Sequence, residues 1–567
     1  MNEKKYQEQI HQAVLGNLSW LNELPSQEKE ILEKVEKEAS PLDTVYQKRN
    51  NMTNPVYTPE YTGNRSRWFR PLLAMCAALV LISGIWAVYR NGSTDSRLIP
   101  LDPVTQPVSS ETAPGTPDQD NDLPVFPAAL NATETETEIS TLDRIDLYVD
   151  PDLLWNNETG ILAEGDNVVK EPGKLPFKNT VYRKMKDSGI TVEGEIVYQT
   201  SQRAVLFRDP VRLQLSGDYS LDMPQKSFQI DAADGSFDFP LFDDRPASSY
   251  PSILLRNSGN DSMFTRVVDG VQHRLIDKYT DTGLLTQAWR PVNVYLNDEY
   301  WGIYNMRETV DGHTICRHEQ LPDETADNIT ILTVSGRALQ GTNNEFKELR
   351  KKIAQISPAD NPEDLAYLEQ EIDINSFLDW LTVEMYFGNS DIGHGVIYKV
   401  PGGKWKCLIQ DLDYGLYNSG FNSVKSYLKA SGMGDQKIYN TVFLKILDVE
   451  KYRDLFFTKL GNLFRSLTTE NMWKELDACI AWIEPDMKNH VDRWAPYYDK
   501  NVITEVPTDP EQAYKYWQKR VLRLRNVMYK RPTMLYGFIR DYFNMSNEEM
   551  DAYFPSDIPS EVYDLTF

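Results

Sequence analysis

The 567-residue chain is 41% hydrophobic and 11% aromatic, enough apolar material for a substantial core in one large domain or several. Its formal net charge of -25 is offset by no basic cluster beyond short runs such as Arg520 to Arg525, which excludes a general affinity for nucleic acid.

Residues 1–68 mix both signs of charge and read as a partly helical segment, with Ser26 placed to cap a second helix. Arg70 and Arg90 bracket "PLLAMCAALVLISGIWAVY", nineteen residues without a formal charge, flanked by Trp68, Trp86 and Tyr89. At about 1.5 Å per residue such a helix nearly crosses a hydrocarbon core of roughly 30 Å, so residues 69–90 are expected to be a single transmembrane helix. Arg65, Arg67 and Arg70 before the span favour a cytoplasmic N-terminus and an extracytoplasmic C-terminal domain. Residues 91–141, with "SSETAPGTPDQDNDLP" and "TETETEIS", lack apolar periodicity and read as a disordered, acidic, Pro/Ser/Thr-rich linker.

From residue 142 the texture changes. "RIDLYVD", "VRLQLSG", "KSFQID", "SILLRNS" and "VNVYLNDEYWGIYNM" read as strands, the last turning at Asn297-Asp298. "INSFLDWLTVEMYFGN", "TVFLKILD", "YRDLFFTKLGNLFRSL" and "EQAYKYWQKRVLRLRNVMYKR" carry helical spacing. Strands lead and helices follow, so residues 142–545 are expected to form an α+β domain, with 546–567 as a C-terminal tail. Between them "IQDLDYGLYN" reads as a buried strand that carries Asp411 and Asp413. Two carboxylates there need hydrogen bonds, a basic partner such as Lys226, or a divalent metal.

Several chemistries find no support. Cys316, Cys407 and Cys479 are far apart and form no C-x-x-C pair, and the six histidines are dispersed, His313 and His318 included. There is no G-x-x-x-x-G-K-[ST] phosphate loop and no G-x-S-x-G nucleophile elbow. What remains is a series of polar residues set in apolar segments: Lys226, Arg256, Asn257, Asp261, Arg266, Glu308, Asp391, Asp411 and Asp413. Taken singly, such residues are usually ion pairs or solvated edges.

In this order, within "SGDYSLDMPQKSFQI", "LLRNSGND", "PVNVYLNDEYWGIYNMRE", "GNSD" and "GGKWKCLIQDLDYGLYN", they resemble the CotH-type spore-coat protein kinase family. The resemblance implies an atypical kinase-like fold that uses ATP and Mg²⁺ or Mn²⁺ to phosphorylate Ser or Thr of secreted or spore-coat proteins. It also implies that Lys226 contacts nucleotide phosphate, that Glu308 lies on the nucleotide side, that Asp391 is the catalytic aspartate, and that Asp411 and Asp413 hold metal. Phosphoryl transfer calls for these residue types: cations to neutralise phosphate charge and a carboxylate to orient or accept the hydroxyl proton.

The chain departs from the family pattern twice. Gln225 stands where a lysine often precedes the nucleotide lysine, and "DIGHGVIY" has no asparagine shortly after Asp391. A membrane-anchored kinase, a catalytically degenerate scaffold of the cell or spore surface, and an envelope adhesin are therefore all compatible with the sequence.

Overall fold

The computed structural model describes residues 140–156, 159–163, 189–217, 219–393, 395–429, 436–498 and 506–565. The expected N-terminal segment, membrane span and almost all of the linker lie outside them. Among the described residues no helix is long and apolar enough to cross a membrane.

The expected strand-rich first half and helical second half are both present. The first half holds β1 (Asp143–Val149), α1 (Pro151–Trp155), β2 (Val192–Gln199), β3 (Val205–Ser216), β4 (Ser227–Ala232), β5 (Ser252–Arg256), α2 (Val268–Tyr279), β6 (Trp289–Leu296) and β7 (Glu299–Glu308). Its seven strands close into a barrel in the order β1-β2-β3-β4-β5-β7-β6, a closure the sequence did not reveal. Every pairing is antiparallel except β1 with β6, the parallel contact that seals it. Alternate residues fill the interior, among them Ile145, Leu147, Leu213, Phe228, Ile230, Ile253, Leu255, Val292, Val294, Tyr304 and Met306. Asn297 and Asp298 both take positive φ, at 49° and 67°, which turns the β6–β7 hairpin with the twist its strands require. Asn297 also binds both backbone groups of Val149, Oδ1 accepting from N at 2.9 Å and Nδ2 donating to O at 2.8 Å, and so pins β1 to the hairpin.

A second sheet follows, with α3 (Gly312–Glu319), β8 (Thr330–Thr333), β9 (Ala338–Gln340), α4 (Asn344–Ile353), α5 (Pro362–Glu371), α6 (Ile374–Phe387), β10 (Val396–Lys399) and β11 (Trp405–Leu408). Its strand order is β11-β10-β8-β9. The chain then becomes helical: α7 (Ser423–Leu428), α8 (Gln436–Asp448), α9 (Glu450–Ser466), α10 (Thr469–Trp494), α11 (Pro510–Phe543) and α12 (Asn547–Tyr553). The last of these lies in the expected tail, yet the Tyr553 carbonyl accepts from Arg465 Nη2 at 2.6 Å and Phe554 meets Phe464 edge-on at 5.2 Å. The folded domain therefore extends past residue 545.

One local reading is corrected. The stretch 409–418 is not a strand: β11 ends at Leu408, and Asp411 and Leu416 take φ of 59° and 52°, turning the chain while Ile409 and Leu412 stay fully buried. Helix α11 runs unbroken through Pro532 to Phe543, and Leu535 and Ile539 beyond the proline are buried in the helical core. Tertiary packing there outweighs the missing N–H.

Helix α6 is the axis of the second half. Asp373 caps its start, accepting from Ser376 N at 3.0 Å, and Gly388 ends it in the left-handed region at φ 64°. The guanidinium of Arg531 then clasps that end: Nη2 donates to Met385 O at 2.5 Å and Nε to Tyr386 O at 2.8 Å. The same group donates to Ser419 O, Phe421 O and Ser423 Oγ at 3.1, 2.7 and 2.6 Å. A Cβ at Gly388 would lie 2.7 Å from Arg531 Cζ, so glycine is required there by space as well as by φ. Because several buried acceptors depend on one side chain, Arg531→Met is expected to lower unfolding free energy by about 3 kcal/mol or more in equilibrium urea melts. A change below about 1 kcal/mol would show that the clasp holds nothing.

Candidate functional site

The site begins where β5 ends. Arg256 projects from the last residue of that strand, level with Asn305 of β7, and Nη2 donates to Asp411 Oδ1 and to Asp413 Oδ2, the latter at 2.7 Å. The basic partner of the acid pair is thus Arg256 and not Lys226. Burial works against the Arg256 cation, but Asp411 and Asp413 more than offset it and hold its pKa above the ordinary value. Asp413 is also bound by Asn260, whose backbone N lies 2.9 Å from Oδ2 and whose Nδ2 lies 3.2 Å from Oδ1. This approach needs Gly259 between them: at φ 58°, a Cβ there would collide with Asp413 Oδ2 and Arg256 Nη2. Despite these donors, burial first and the Asp411 charge second push the Asp413 carboxyl up to about 7.

A third carboxylate supports the loop from behind. Asp269, in the first turn of α2, accepts from Leu412 N at 2.9 Å and is paired with Arg307, with Arg256 Nη1 3.7 Å away. It thereby fixes the peptide between the two acids. His273, one turn on, is held well below its usual range by burial, at about 3, and accepts from Gln287 N through Nδ1 at 3.1 Å.

Asp391 reaches the same place from the end of α6. Asn389 is buried; its Oδ1 accepts from Asp391 N at 3.0 Å, and its Nδ2 donates to Asp411 O at 3.3 Å. One amide side chain therefore links the expected catalytic aspartate to the expected metal pair. Beneath it, Tyr427 Oη donates to Glu384 Oε2 at 3.0 Å and lies 3.1 Å from Asn389 O. Burial pushes Glu384 up to about 8, against the pull of its hydrogen bonds with Tyr427 and Asn389, and the charges of Asp411 and Asp391 push the same way. Burial thus favours its protonated form.

The other two expected residues are not brought together. Lys226, immediately before β4, donates from Nζ to Met223 O at 2.6 Å. Phe228 lies opposite Leu255, near the Arg256 end of β5, whereas Glu308 lies opposite Ile253 toward the other end. Glu308 accepts from Ala288 N at 3.0 Å and from Arg245 Nε at 3.2 Å, with Arg317 Nη2 at 3.6 Å. Lys226 is tied to the loop after β5 through its chain neighbours: Asn257, which opens the Gly259-Asn260 loop, donates from Nδ2 to Gln225 O at 2.6 Å and from its backbone N to Ser227 Oγ at 2.9 Å. The Gln225 departure has a local reason. Its Oε1 accepts from the buried Arg266 at 3.0 Å, and a lysine there would set two cations against each other.

Sequence reasoning passed over Asn260, Asp269, Glu384, Asn389 and Arg531. Asn260 and Asn389 stood inside the quoted blocks "LLRNSGND" and "GNSD", so their proximity to known acids was the available signal. Asp269 and Glu384 sit within helices and carried none.

A sequence model of the family described as CotH kinase protein matches residues 213–535, a span that holds every residue of the site. None of the curated proteins matches the chain.

Glu384 provides a pH test. Its folded pKa lies above the ordinary carboxyl value, so its contribution to stability is fully present below about 4.5 and is lost as pH rises toward about 8. Glu384→Gln keeps the shape and stays neutral. The wild-type unfolding free energy is expected to fall relative to that of the variant between pH 5 and 8, by up to about 1.4 kcal/mol per pH unit. A variant less stable by the same amount at every pH would show that Glu384 is ionised throughout.

Proposed function

Starting from its membership of the CotH kinase protein family, we propose that this chain is an atypical protein kinase that transfers phosphate from ATP to Ser or Thr of envelope or spore-coat proteins. The observation that carries the reading is the Asn389 bridge, which sets Asp391 beside the Asp411–Asp413 loop although the two are far apart in sequence. In this reading Asp391 orients the attacking hydroxyl and accepts its proton, while Lys226 neutralises nucleotide phosphate and Glu308 lies on the nucleotide side.

The donor chemistry suits Mg²⁺ of a particular kind. Asp411 and Asp413 offer only oxygen, the ligand type a small hard cation prefers, and the Asp411 side chain is 23% exposed. Among the described residues no group of three or more His, Cys, Asp or Glu side chains is placed to hold a metal. These residues therefore fit an ion that arrives with nucleotide phosphate, not a preformed protein cage. When bound, the ion would neutralise phosphate charge, and Asp411 and Asp413 would be its protein ligands.

A second reading, a scaffold that keeps the fold without the reaction, is favoured by one feature: both oxygens of Asp413 already accept from Arg256 or Asn260. Residues 69–90 are proposed to anchor the protein with its N-terminus in the cytoplasm and the kinase-like domain outside.

Full-length protein in detergent, given radiolabelled ATP with Mg²⁺ or Mn²⁺, is expected to phosphorylate itself. Asp391→Asn should reduce the rate by about 10²-fold or more with nucleotide binding retained, and Asp411→Asn/Asp413→Asn should lose the melting-temperature rise produced by Mg²⁺ with ATP. No transfer by wild type with either metal would leave the scaffold reading in place. For topology, protease added to intact cells should digest the domain and spare a tag at Met1; protection of the domain would reverse the orientation.

A further inference from the structure

We infer that Arg520, with Arg523 and Tyr417, forms a subsite for a phosphate-class oxyanion in the cleft beside Asp413. The cleft is lined by Asp261, Val268, Asp413, Tyr417, Arg520 and Arg523, with α11 supplying both arginines. It belongs to neither the Asn389 bridge nor the Lys226 loop, and its charges are unevenly satisfied.

Both lining carboxylates are already hydrogen-bonded internally, and the Arg520 charge acts on Asp261 only through space. Asp261 Oδ1 accepts from Thr265 N at 2.9 Å, and its Oδ2 from Thr265 Oγ1 at 2.6 Å and Val268 N at 3.1 Å. Asp413 has both oxygens committed to Arg256 and Asn260. The arginines are not. Arg520 is only 8% exposed, yet among the described residues it has no hydrogen-bond acceptor or ion-pair partner, and Nε is fully enclosed without one. A buried guanidinium normally has its N–H edge filled, because leaving a charged donor unpaired away from water is costly.

Stacking fixes the orientation without filling that edge. Cζ of Arg520 lies 3.8 Å from the Phe264 ring centroid and 5.7 Å from that of Tyr417. Contacts to the ring faces satisfy the flat faces of the guanidinium and leave its N–H groups in plane for a ligand. Arg523 lies 5.8 Å from the same Tyr417 ring and is exposed, so a second fork stands at the mouth of the cleft. A tetrahedral phosphate, with several acceptor oxygens and more than one negative charge, matches two forks better than a single carboxylate does. Its source is either the nucleotide or a separate phosphate, and the chemistry is common to both.

The inference stands apart from kinase activity, since binding is read without turnover. Full-length protein in detergent, with EDTA and no other oxyanion, would be titrated with inorganic phosphate and followed by calorimetry and thermal melts. Saturable binding is expected for wild type, weakened at least tenfold in Arg520→Met and severalfold in Arg523→Gln. Arg520→Lys keeps the charge and the stem but loses the fork, and should also bind more weakly; with Arg523→Gln it decides the matter if Arg520→Met does not fold. Repeating the titration with Mg²⁺ and saturating ATP in place of EDTA separates the sources: competition assigns the subsite to a nucleotide phosphate, simultaneous binding to a separate one, and either supports it. No saturable binding by wild type, or binding undiminished in Arg520→Lys and Arg523→Gln, overturns the inference.

Discussion

One guanidinium joins the two halves of the domain at the site. Arg256 is the last residue of a barrel strand, and the carboxylates it holds belong to a loop that leaves the second sheet toward the helices. Two acids two positions apart in a mostly buried loop repel each other, and without a shared cation one of them would have to stay protonated or move to solvent. Much of the surrounding geometry follows from placing that cation. Gly259 must lack a side chain so that the loop after β5 can close over the ion pair, Asn260 then reaches Asp413, and Asp269 at the start of α2 holds the peptide at Leu412. Removing Arg256 would therefore disturb the barrel edge, α2 and the acid loop together.

The helical half supplies a second fixed point of a different kind. At the end of α6 the backbone carbonyls have no further helical partners, and Arg531 from α11 fills them while also binding the segment at 419–423. Gly388, Asn389 and Asp391 leave the helix directly from that clasp. The position of Asp391 is thus set by a charge–carbonyl contact more than a hundred residues downstream, and Asn389 carries it to the acid loop. Arg256 and Arg531 act on opposite ends of the same short path, one through ion pairs and the other through peptide oxygens.

This explains what was legible in the sequence. The strands near Ile145, Leu213, Ile230 and Val294 were readable because alternation is a local pattern with a direct physical cause. The hairpin at Asn297-Asp298 was readable because few residues tolerate positive φ twice in succession. The 409–418 stretch was misread as a strand because burial of Ile409 and Leu412 mimics a strand pattern, while the left-handed turn at Asp411 leaves no compositional mark. Lys226 was a plausible partner for the acid pair only while the register of β4 against β5 was unknown. Arg256 stood in the same group of residues, but what separates the two is which of them the pairing aims at the loop. Closure of the barrel depends on contacts distant in sequence and could not be read from local pattern.

The charge inventory of the site bears on how a kinase could work here. Asp269, Asp411 and Asp413 face Arg256 and Arg307, so carboxylates exceed guanidinium groups by one in this network. The surplus appears as a raised proton affinity at Asp413, the most buried member of the pair, because a low-dielectric site cannot hold an extra anion cheaply. A divalent ion would convert that deficit of positive charge into an excess, which the phosphates of a nucleotide are suited to absorb. On this argument metal and nucleotide bind best together and each poorly alone, since either by itself leaves the network unbalanced. In the proposed kinase reading Arg256 would be a resident counter-ion that keeps the loop folded until both arrive, and the acid pair would serve stability and chemistry with the same two carboxylates.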